Sequence, residues 1–116
     1  MDRNVSFSLN RTLFGFPIQY RAALLDEGLQ VLITGGAKTH IGSVSTYLPG
    51  MEPETKFFPG HKDQYISAPW AKKLSDHLGE PVCVVCGIHY DNATKDEIGQ
   101  IMKITDEMLE ELLKKV

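Results

Sequence analysis

FPIQYRAALLDEGLQVLITGG, residues 16–36, contains two runs in which apolar side chains occupy every second position. A period of two is typical of β-strands that bury one face. The tripeptide DEG at 26–28 separates the runs and predicts a turn, because Gly28 accommodates a positive φ. The second run stops at Thr34-Gly35-Gly36. The segment therefore predicts two antiparallel strands whose buried face is made of Ile18, Tyr20, Ala22, Leu24, Leu29, Val31 and Ile33.

The neighbouring segments predict further strands of the same sheet. Residues 5–9 alternate apolar and polar side chains, and another extended stretch is expected at Ile41–Leu48. Pro81–His89 contains a continuous apolar run and predicts a buried strand. Pro49–Lys62 contains three prolines and two glycines, which predict a long surface loop.

Two helices complete the predicted domain. Ser67 is expected to cap the first, with Pro69 in its first turn and Gly79 at its end. Thr94 and Glu97 form a capping box, from which the final helix runs to the C-terminus. Its apolar stripe is expected to face the sheet through Ile98, Ile101, Met102, Met108, Leu109 and Leu112. The predicted fold class is α+β, an antiparallel β-sheet meander with two helices packed on it.

Length and composition exclude several classes of protein. A chain of 116 residues with 42% hydrophobic and 23% charged residues predicts one globular domain over residues 1–116. Twelve basic and fifteen acidic residues give a formal net charge of −3, so the basic footprint of a nucleic-acid-binding protein is missing. No apolar run approaches the roughly 20 residues that cross a bilayer, and the N-terminus leads into no secretory segment. We expect a cytoplasmic protein whose partners include neither nucleic acid nor a membrane.

Cys83 and Cys86 form a C-x-x-C spacing, which can indicate a redox or zinc site. Both lie in the run predicted as a buried strand, where side chains three residues apart point to opposite faces. A disulfide or a shared metal ion does not fit that separation. The cysteines are therefore predicted to be buried structural thiols.

Three segments rich in glycine and histidine follow or separate the predicted elements, at 34–42, 60–62 and 87–92. Glycines beyond a strand let backbone N–H groups approach an anion closely, and the helix N-terminus at Thr94 adds a positive dipole end. Lys38, His40 and Lys62 add donors or charge. These segments predict a site for a phosphate-bearing ligand, although neither the P-loop nor the dinucleotide fingerprint is present.

Metal binding and nucleophilic catalysis are the alternatives. His40, His61 and His89 with Asp91 would supply a metal site only if three distant histidines converge, because no H-x-x-x-H pair fixes two ligands on one element. Ser43, Ser45 and Cys86 lack the G-x-S-x-G elbow of a serine hydrolase.

Taken together, the segments resemble the prenylated-flavin chaperone family, the small gallate decarboxylase accessory proteins that accompany UbiD-type decarboxylases. The resemblance rests on the TGG…HIG block at 34–42, on 61–62, and on GIHYDNATK at 87–95, and it extends from about Phe16 into the final helix. It implies a fold similar to small proteasome-assembly chaperones, often paired as a dimer. It also implies binding of FMN or prenylated FMN by the matching residues, which are Thr34, Gly35, Gly36, His40, Gly42, His61, Lys62, His89 and Asn92. Lys38 is added to this candidate site for its charge.

The resemblance implies a non-catalytic accessory protein that helps load or mature the flavin of a UbiD-type decarboxylase. The alternatives are a protein-assembly chaperone that acts by protein contact alone and a small metal-dependent enzyme built on the histidines. The first strand has a serine-lined outer face and an edge that can pair with a second copy, so a homodimer is expected.

Overall fold

The computed structural model describes residues 2–60 and 62–116. These residues form six β-strands and two α-helices, in the order β1 (Val5–Leu13), β2 (Phe16–Leu24), β3 (Leu29–Gly36), β4 (Ser43–Tyr47), β5 (Glu54–Phe57), α1 (Gln64–Leu78), β6 (Val82–His89) and α2 (Lys95–Leu113).

The strands form one mixed sheet in the order β1-β2-β3-β6-β4-β5. Its neighbouring strands are antiparallel, except that β3 and β6 are parallel. The predicted α+β class with two helices on a sheet is confirmed, and the antiparallel meander describes β1 to β3. β6 is an interior strand between β3 and β4. Its Val82, Val84 and Cys86 are buried in the core, whereas Cys83 and Val85 on the other face are half-buried.

The core lies between one face of the sheet and the two helices. The predicted buried face of β2 and β3 is confirmed, since each of its seven residues is at most 3% exposed. The ring of Tyr20 on β2 meets the ring of Trp70 on α1 edge-on, with 5.9 Å between centroids. Such edge-to-face contact is a favoured aromatic geometry. These contacts fix α1 over the centre of the sheet.

The prediction of an unstructured loop over Pro49–Lys62 is partly wrong. Residues Glu54–Phe57 form β5, which pairs antiparallel with β4. Each residue of β5 is exposed, so the strand has no apolar alternation that a sequence pattern could detect.

The predicted start of the first helix is also wrong. Helix α1 begins at Gln64 with Asp63 as its N-cap residue, and Ser67 lies fully buried inside it. The hydroxyl of Ser67 lies 2.7 Å from that of Ser43 and 2.8 Å from that of Ser45. Ser67 is therefore a polar contact that fixes α1 to β4 rather than a helix cap.

The predicted helix signals hold elsewhere. Gly79 ends α1 in the left-handed region with φ 70°, and the capping box of Thr94 and Glu97 is present at α2. One position in the stripe of α2 departs from the prediction, because Ile98 is 51% exposed instead of packed in the core. Neither described helix is long and apolar enough to cross a membrane.

Cys83 and Cys86 are free thiols on opposite faces of β6, as predicted. Cys86 is fully buried, whereas Cys83 is only half-buried, which corrects the prediction that both are buried. Burial raises the pKa of both thiols. Both are therefore protonated and weakly nucleophilic at neutral pH.

Candidate functional site

The parallel pairing of β3 and β6 brings two of the three predicted segments together at one edge of the sheet. Thr34 pairs with Gly87, and Gly36 pairs with His89. The Ala37 N–H then donates to the His89 carbonyl oxygen at 2.8 Å, so the chain leaves β3 beside the end of β6. Gly36 has φ 85°, a conformation that L side chains rarely adopt.

The connection from β3 to β4 passes directly over the end of β6. A Cβ atom at Gly87 would overlap the carbonyl oxygen of His40 and lie 2.5 Å from its carbonyl carbon. The rings of His40 and His89 meet at 6.3 Å between centroids, with their planes nearly perpendicular. Gly42 is tied to the same strand, because its N–H donates to the Cys86 carbonyl oxygen at 2.9 Å. The absence of a side chain at Gly87 therefore allows His40 to lie at the site.

Asp63, which no sequence motif singled out, lies at the centre of this cluster. Its side chain is 5% exposed. Oδ1 accepts a hydrogen bond from the Ile88 N–H at 2.9 Å, and Oδ2 lies 3.2 Å from His40 Nε2. Gly42 leaves space for this carboxylate, since a Cβ there would lie 2.7 Å from Asp63 Cγ.

The orientation of the Asp63 side chain is unusual for an aspartate at this position. An N-cap aspartate ordinarily accepts hydrogen bonds from the first helical N–H groups. Asp63 makes no such side-chain bond, although it is the N-cap residue of α1. Its carboxylate is directed to His40 and β6 instead. The cap of the first helix was expected at Ser67, so no sequence signal pointed to Asp63.

The carboxylate also affects the neighbouring thiol. Cys86 Sγ lies 3.8 Å from Asp63 Oδ1. Burial raises the pKa of Cys86 well above its usual value, and the negative charge of Asp63 raises it further. A protonated, buried thiol is not a nucleophile, so Cys86 serves packing here.

The remaining polar residues of the predicted site are half-buried or exposed. Lys38 and Lys62 are exposed, and His89 Nε2 lies 2.8 Å from Asp91 Oδ1. Asn92 is exposed and has φ 51° in the turn that joins β6 to α2. The third predicted segment reaches the site through Lys62, whereas His61 lies outside the described residues.

The N-terminus of α2, where the sequence suggested a positive dipole end, is occupied by its own capping box. The Glu97 carboxylate accepts the Thr94 N–H at 2.9 Å, and the Thr94 hydroxyl accepts the Glu97 N–H at 3.2 Å. The bond from the Thr94 backbone holds the pKa of Glu97 below its usual value. Asp96 and the ionised Glu97 in the first turn already interact with the positive end of the helix dipole.

A cavity of about 290 Å³ opens beside this cluster, between α1, the end of β6 and α2. We call it the α2 cavity. Its polar side contains Lys62, Asp63 and His89. The remaining lining residues are Gly60, Tyr65, Ile66, Ile88, Tyr90, Ala93, Ile98, Ile101 and Met102.

No metal-binding group is formed within residues 2–60 and 62–116, where no three His, Cys, Asp or Glu side chains converge. His40 and His89 approach each other, but each is close to a carboxylate of its own, Asp63 and Asp91. Such carboxylate–imidazole pairs hold the orientation of a histidine ring.

The fold has a counterpart among the solved structures. A chain in the crystal structure of a novel chaperone complex for yeast 20S proteasome assembly is similar with a TM-score of 0.57 and 16% sequence identity. The similarity covers 95% of this chain and 96% of that one. At this identity the likeness shows the fold alone, and it confirms the expected proteasome-assembly-chaperone-like architecture.

The chain belongs to the prenylated flavin chaperone LpdD-like domain family, whose model matches residues 12–116. Protein LpdD of Lactiplantibacillus plantarum is 31% identical over 104 residues, which cover 85% of this chain and 76% of that protein. The family resemblance inferred from the sequence motifs is thereby confirmed. The matched range includes all three glycine- and histidine-rich segments.

Proposed function

We propose that the protein is a non-catalytic accessory chaperone that binds prenylated FMN, or FMN itself, and supplies it to a UbiD-type decarboxylase in the cytoplasm. One observation carries the proposal. The family match covers all three glycine- and histidine-rich segments, which are distant in sequence. The segments at 34–42 and 87–92 meet at one edge of the sheet, and Lys62 of the third segment lines the cavity beside them. The cofactor-binding residues of the proposal are those predicted from the sequence, apart from His40, which Asp63 and Gly87 hold in place as a positioning residue.

The described residues fit an anionic, partly apolar ligand. Lys62 and Lys38 are exposed cations at the rim, where they reach a phosphate without a desolvation cost. Both carboxylate oxygens of Asp63 already have partners, His40 Nε2 and the Ile88 N–H, and its side chain is 5% exposed. In this arrangement His40 is a positioning residue that holds the loop at 37–42 in place. The bound flavin carries the redox chemistry, and the chain supplies binding and orientation.

Lys62→Ala is expected to lower the affinity for FMN about tenfold or more. The lysine ammonium makes a charge-assisted hydrogen bond to the phosphate, and such a bond contributes roughly 1.5–3 kcal/mol. Calorimetric titration of the parent and the variant with FMN measures the effect. Riboflavin, which has no phosphate, is expected to bind the parent weakly and to lose little affinity in the variant.

Lys103→Ala is the matched control, because Lys103 is an exposed lysine of α2 that does not line the α2 cavity. It removes the same charge and should leave FMN affinity unchanged. Equal FMN affinities for the parent, Lys62→Ala and Lys103→Ala would contradict a phosphate site at Lys62. Failure of the parent to bind either FMN or prenylated FMN would contradict the proposed function as a whole.

The decarboxylase partner is tested with the same proteins. The parent, loaded with prenylated FMN and mixed with a cofactor-free UbiD-type decarboxylase, should transfer its flavin absorbance to the decarboxylase fraction after separation. Retention of all the flavin by the parent would argue against delivery. Lys62→Ala should load less flavin and therefore transfer less.

The functional unit of the proposal is a homodimer paired through β1. This nine-residue strand is an edge of the sheet, and no other described strand covers its outer side. Free N–H and C=O groups along such an edge pair readily with a second strand. Sedimentation at micromolar concentration is expected to give twice the chain mass of 13.0 kDa. A single-chain mass would contradict the dimer.

A further inference from the structure

A second cavity lies at the end of the sheet opposite the α2 cavity. It measures about 440 Å³ and lies where β3 and β6 begin, between the turn after β2 and the connection from β4 to β5. We call it the Met51 groove. Val82 at the start of β6 lines this groove, whereas His89 at the end of β6 lines the α2 cavity. The two residues lie roughly 23 Å apart along the strand, so the groove is separate from the proposed flavin site.

The walls of the Met51 groove contain apolar side chains that the core does not bury. Met51 is 63% exposed and Leu25 is 46% exposed, and they come from two different connections of the chain. Tyr47, Leu48 and Cys83 are half-buried beside them. Exposed apolar groups with a polar rim typically mark an interaction surface, and methionine and tyrosine are enriched at the centres of protein interfaces. The groove therefore offers apolar surface to a protein partner.

The charged side chains that line the groove are all of one sign. Glu27, Glu52 and Glu54 line it and are exposed, and no described lysine, arginine or histidine does so. None of the three carboxylates forms an ion pair with another residue of the described chain. The formal net charge of the whole protein is only −3, so three unpaired carboxylates at one groove are a local concentration of negative charge.

The cations next to the groove do not neutralise this charge. Arg3 donates a hydrogen bond to the Leu25 carbonyl oxygen, and Lys72 lies over the ring of Tyr47 at 5.4 Å from its centroid. Each of these cations is already paired with a carboxylate outside the groove, at 2.6 Å for Arg3 and 2.7 Å for Lys72. A partner that complements the groove must therefore supply its own positive charge.

We infer that the Met51 groove binds a segment of a partner protein in which lysine or arginine side chains alternate with aliphatic ones. The aliphatic side chains pack on Leu25 and Met51, and the cations lie against the rim glutamates. The same glutamates disfavour an anionic membrane surface and the phosphates of a nucleic acid. Because the groove lies at the other end of β6 from the flavin site, such a partner can stay bound while a cofactor enters or leaves.

The probe is a short dye-labelled peptide that alternates leucine and lysine, and fluorescence anisotropy measures its affinity. A peptide with glutamate in place of lysine and a peptide with serine in place of leucine are the matched probes. The parent is expected to bind the leucine–lysine peptide about tenfold or more tightly than either matched probe. Its affinity should fall as salt is added, because salt screens exposed charges.

Two double variants separate the apolar contact from the charge. Leu25→Asn combined with Met51→Asn should lower the affinity for the leucine–lysine peptide about tenfold, because apolar burial is lost. Glu52→Gln combined with Glu54→Gln should lower it about threefold and weaken its dependence on salt.

Ile98→Asn and Glu110→Gln are the controls for these variants. Both residues are exposed on α2 and neither lines the Met51 groove, so peptide affinity should equal that of the parent. Thermal melting checks that every variant is folded.

Cys83 reports the position of the peptide in the unaltered protein. It is half-buried in the groove, whereas Cys86 is fully buried, so alkylation at alkaline pH modifies Cys83 first. The leucine–lysine peptide, in excess over its Kd, should slow this alkylation several-fold. An unchanged alkylation rate with the peptide bound would overturn the assignment to this groove.

The peptide and FMN test different parts of the protein. Equal affinity of the parent for the three peptides, or an affinity that neither double variant changes, would overturn the inference and leave the proposed function intact. Lys62→Ala should bind the leucine–lysine peptide as the parent does, and both double variants should bind FMN as the parent does. Failure of the parent to bind a flavin would contradict the proposed function alone.

Discussion

Gly87→Ala is expected to lower the free energy of unfolding by about 3 kcal/mol or more. The added Cβ would overlap the carbonyl oxygen of His40 and lie 2.5 Å from the carbonyl carbon. Both atoms are backbone, so no side-chain rotation relieves the overlap. The chain must either move the loop at 37–42 or distort the end of β6. Thermal unfolding measures the loss, which should lower the melting temperature by about 10 °C or more.

Gly99→Ala is the matched control, because nothing lies within 4 Å of a Cβ at this exposed position in α2. Alanine has the higher helix propensity, so this change should stabilise the protein by up to about 1 kcal/mol. The two substitutions add the same methyl group and are expected to have effects of opposite sign. A Gly87→Ala protein as stable as the parent would show that His40 does not lie against β6.

Asp63→Ala is expected to cost about 2–4 kcal/mol of stability. The substitution leaves the Ile88 N–H, now bonded at 2.9 Å, with no acceptor in a buried place, and it removes the contact that holds His40. The loop at 37–42 should loosen, so FMN affinity is expected to fall together with stability. Chemical denaturation and calorimetric titration of one preparation measure the two effects.

Asp63→Asn separates the hydrogen bond from the charge. The amide oxygen can still accept from the Ile88 N–H, so most of the stability lost in Asp63→Ala should be recovered. Asp76→Ala is the control for loss of a carboxylate, because Asp76 forms only an exposed ion pair with Lys72. This control substitution should lower the free energy of unfolding by less than about 1 kcal/mol. If Asp63→Ala were as mild as Asp76→Ala, the carboxylate would not be holding the site together.

The candidate site was predictable in part. The segments at 34–42 and 87–92 stand out because glycines and histidines interrupt the apolar alternation, and the structure places Gly36 next to His89. The participation of Asp63 was not predicted, because the cap of the first helix was expected at Ser67 and no local pattern distinguishes Asp63 from a loop residue. The Asp63 carboxylate accepts the Ile88 N–H, and Ile88 lies 25 residues further along the chain.

The sequence by itself determined the strands β1 to β4 and β6, the two helices, and most of the faces that they bury, because alternation and helix caps are local signals that each segment carries alone. Only the tertiary structure decided that β6 enters the sheet parallel to β3 and beside β4. Strand pairing depends on contacts between residues far apart in the chain, and local periodicity contains no information about them. That pairing brings the end of β6 under His40 and next to Asp63, and so it assembles a site whose parts the sequence keeps apart.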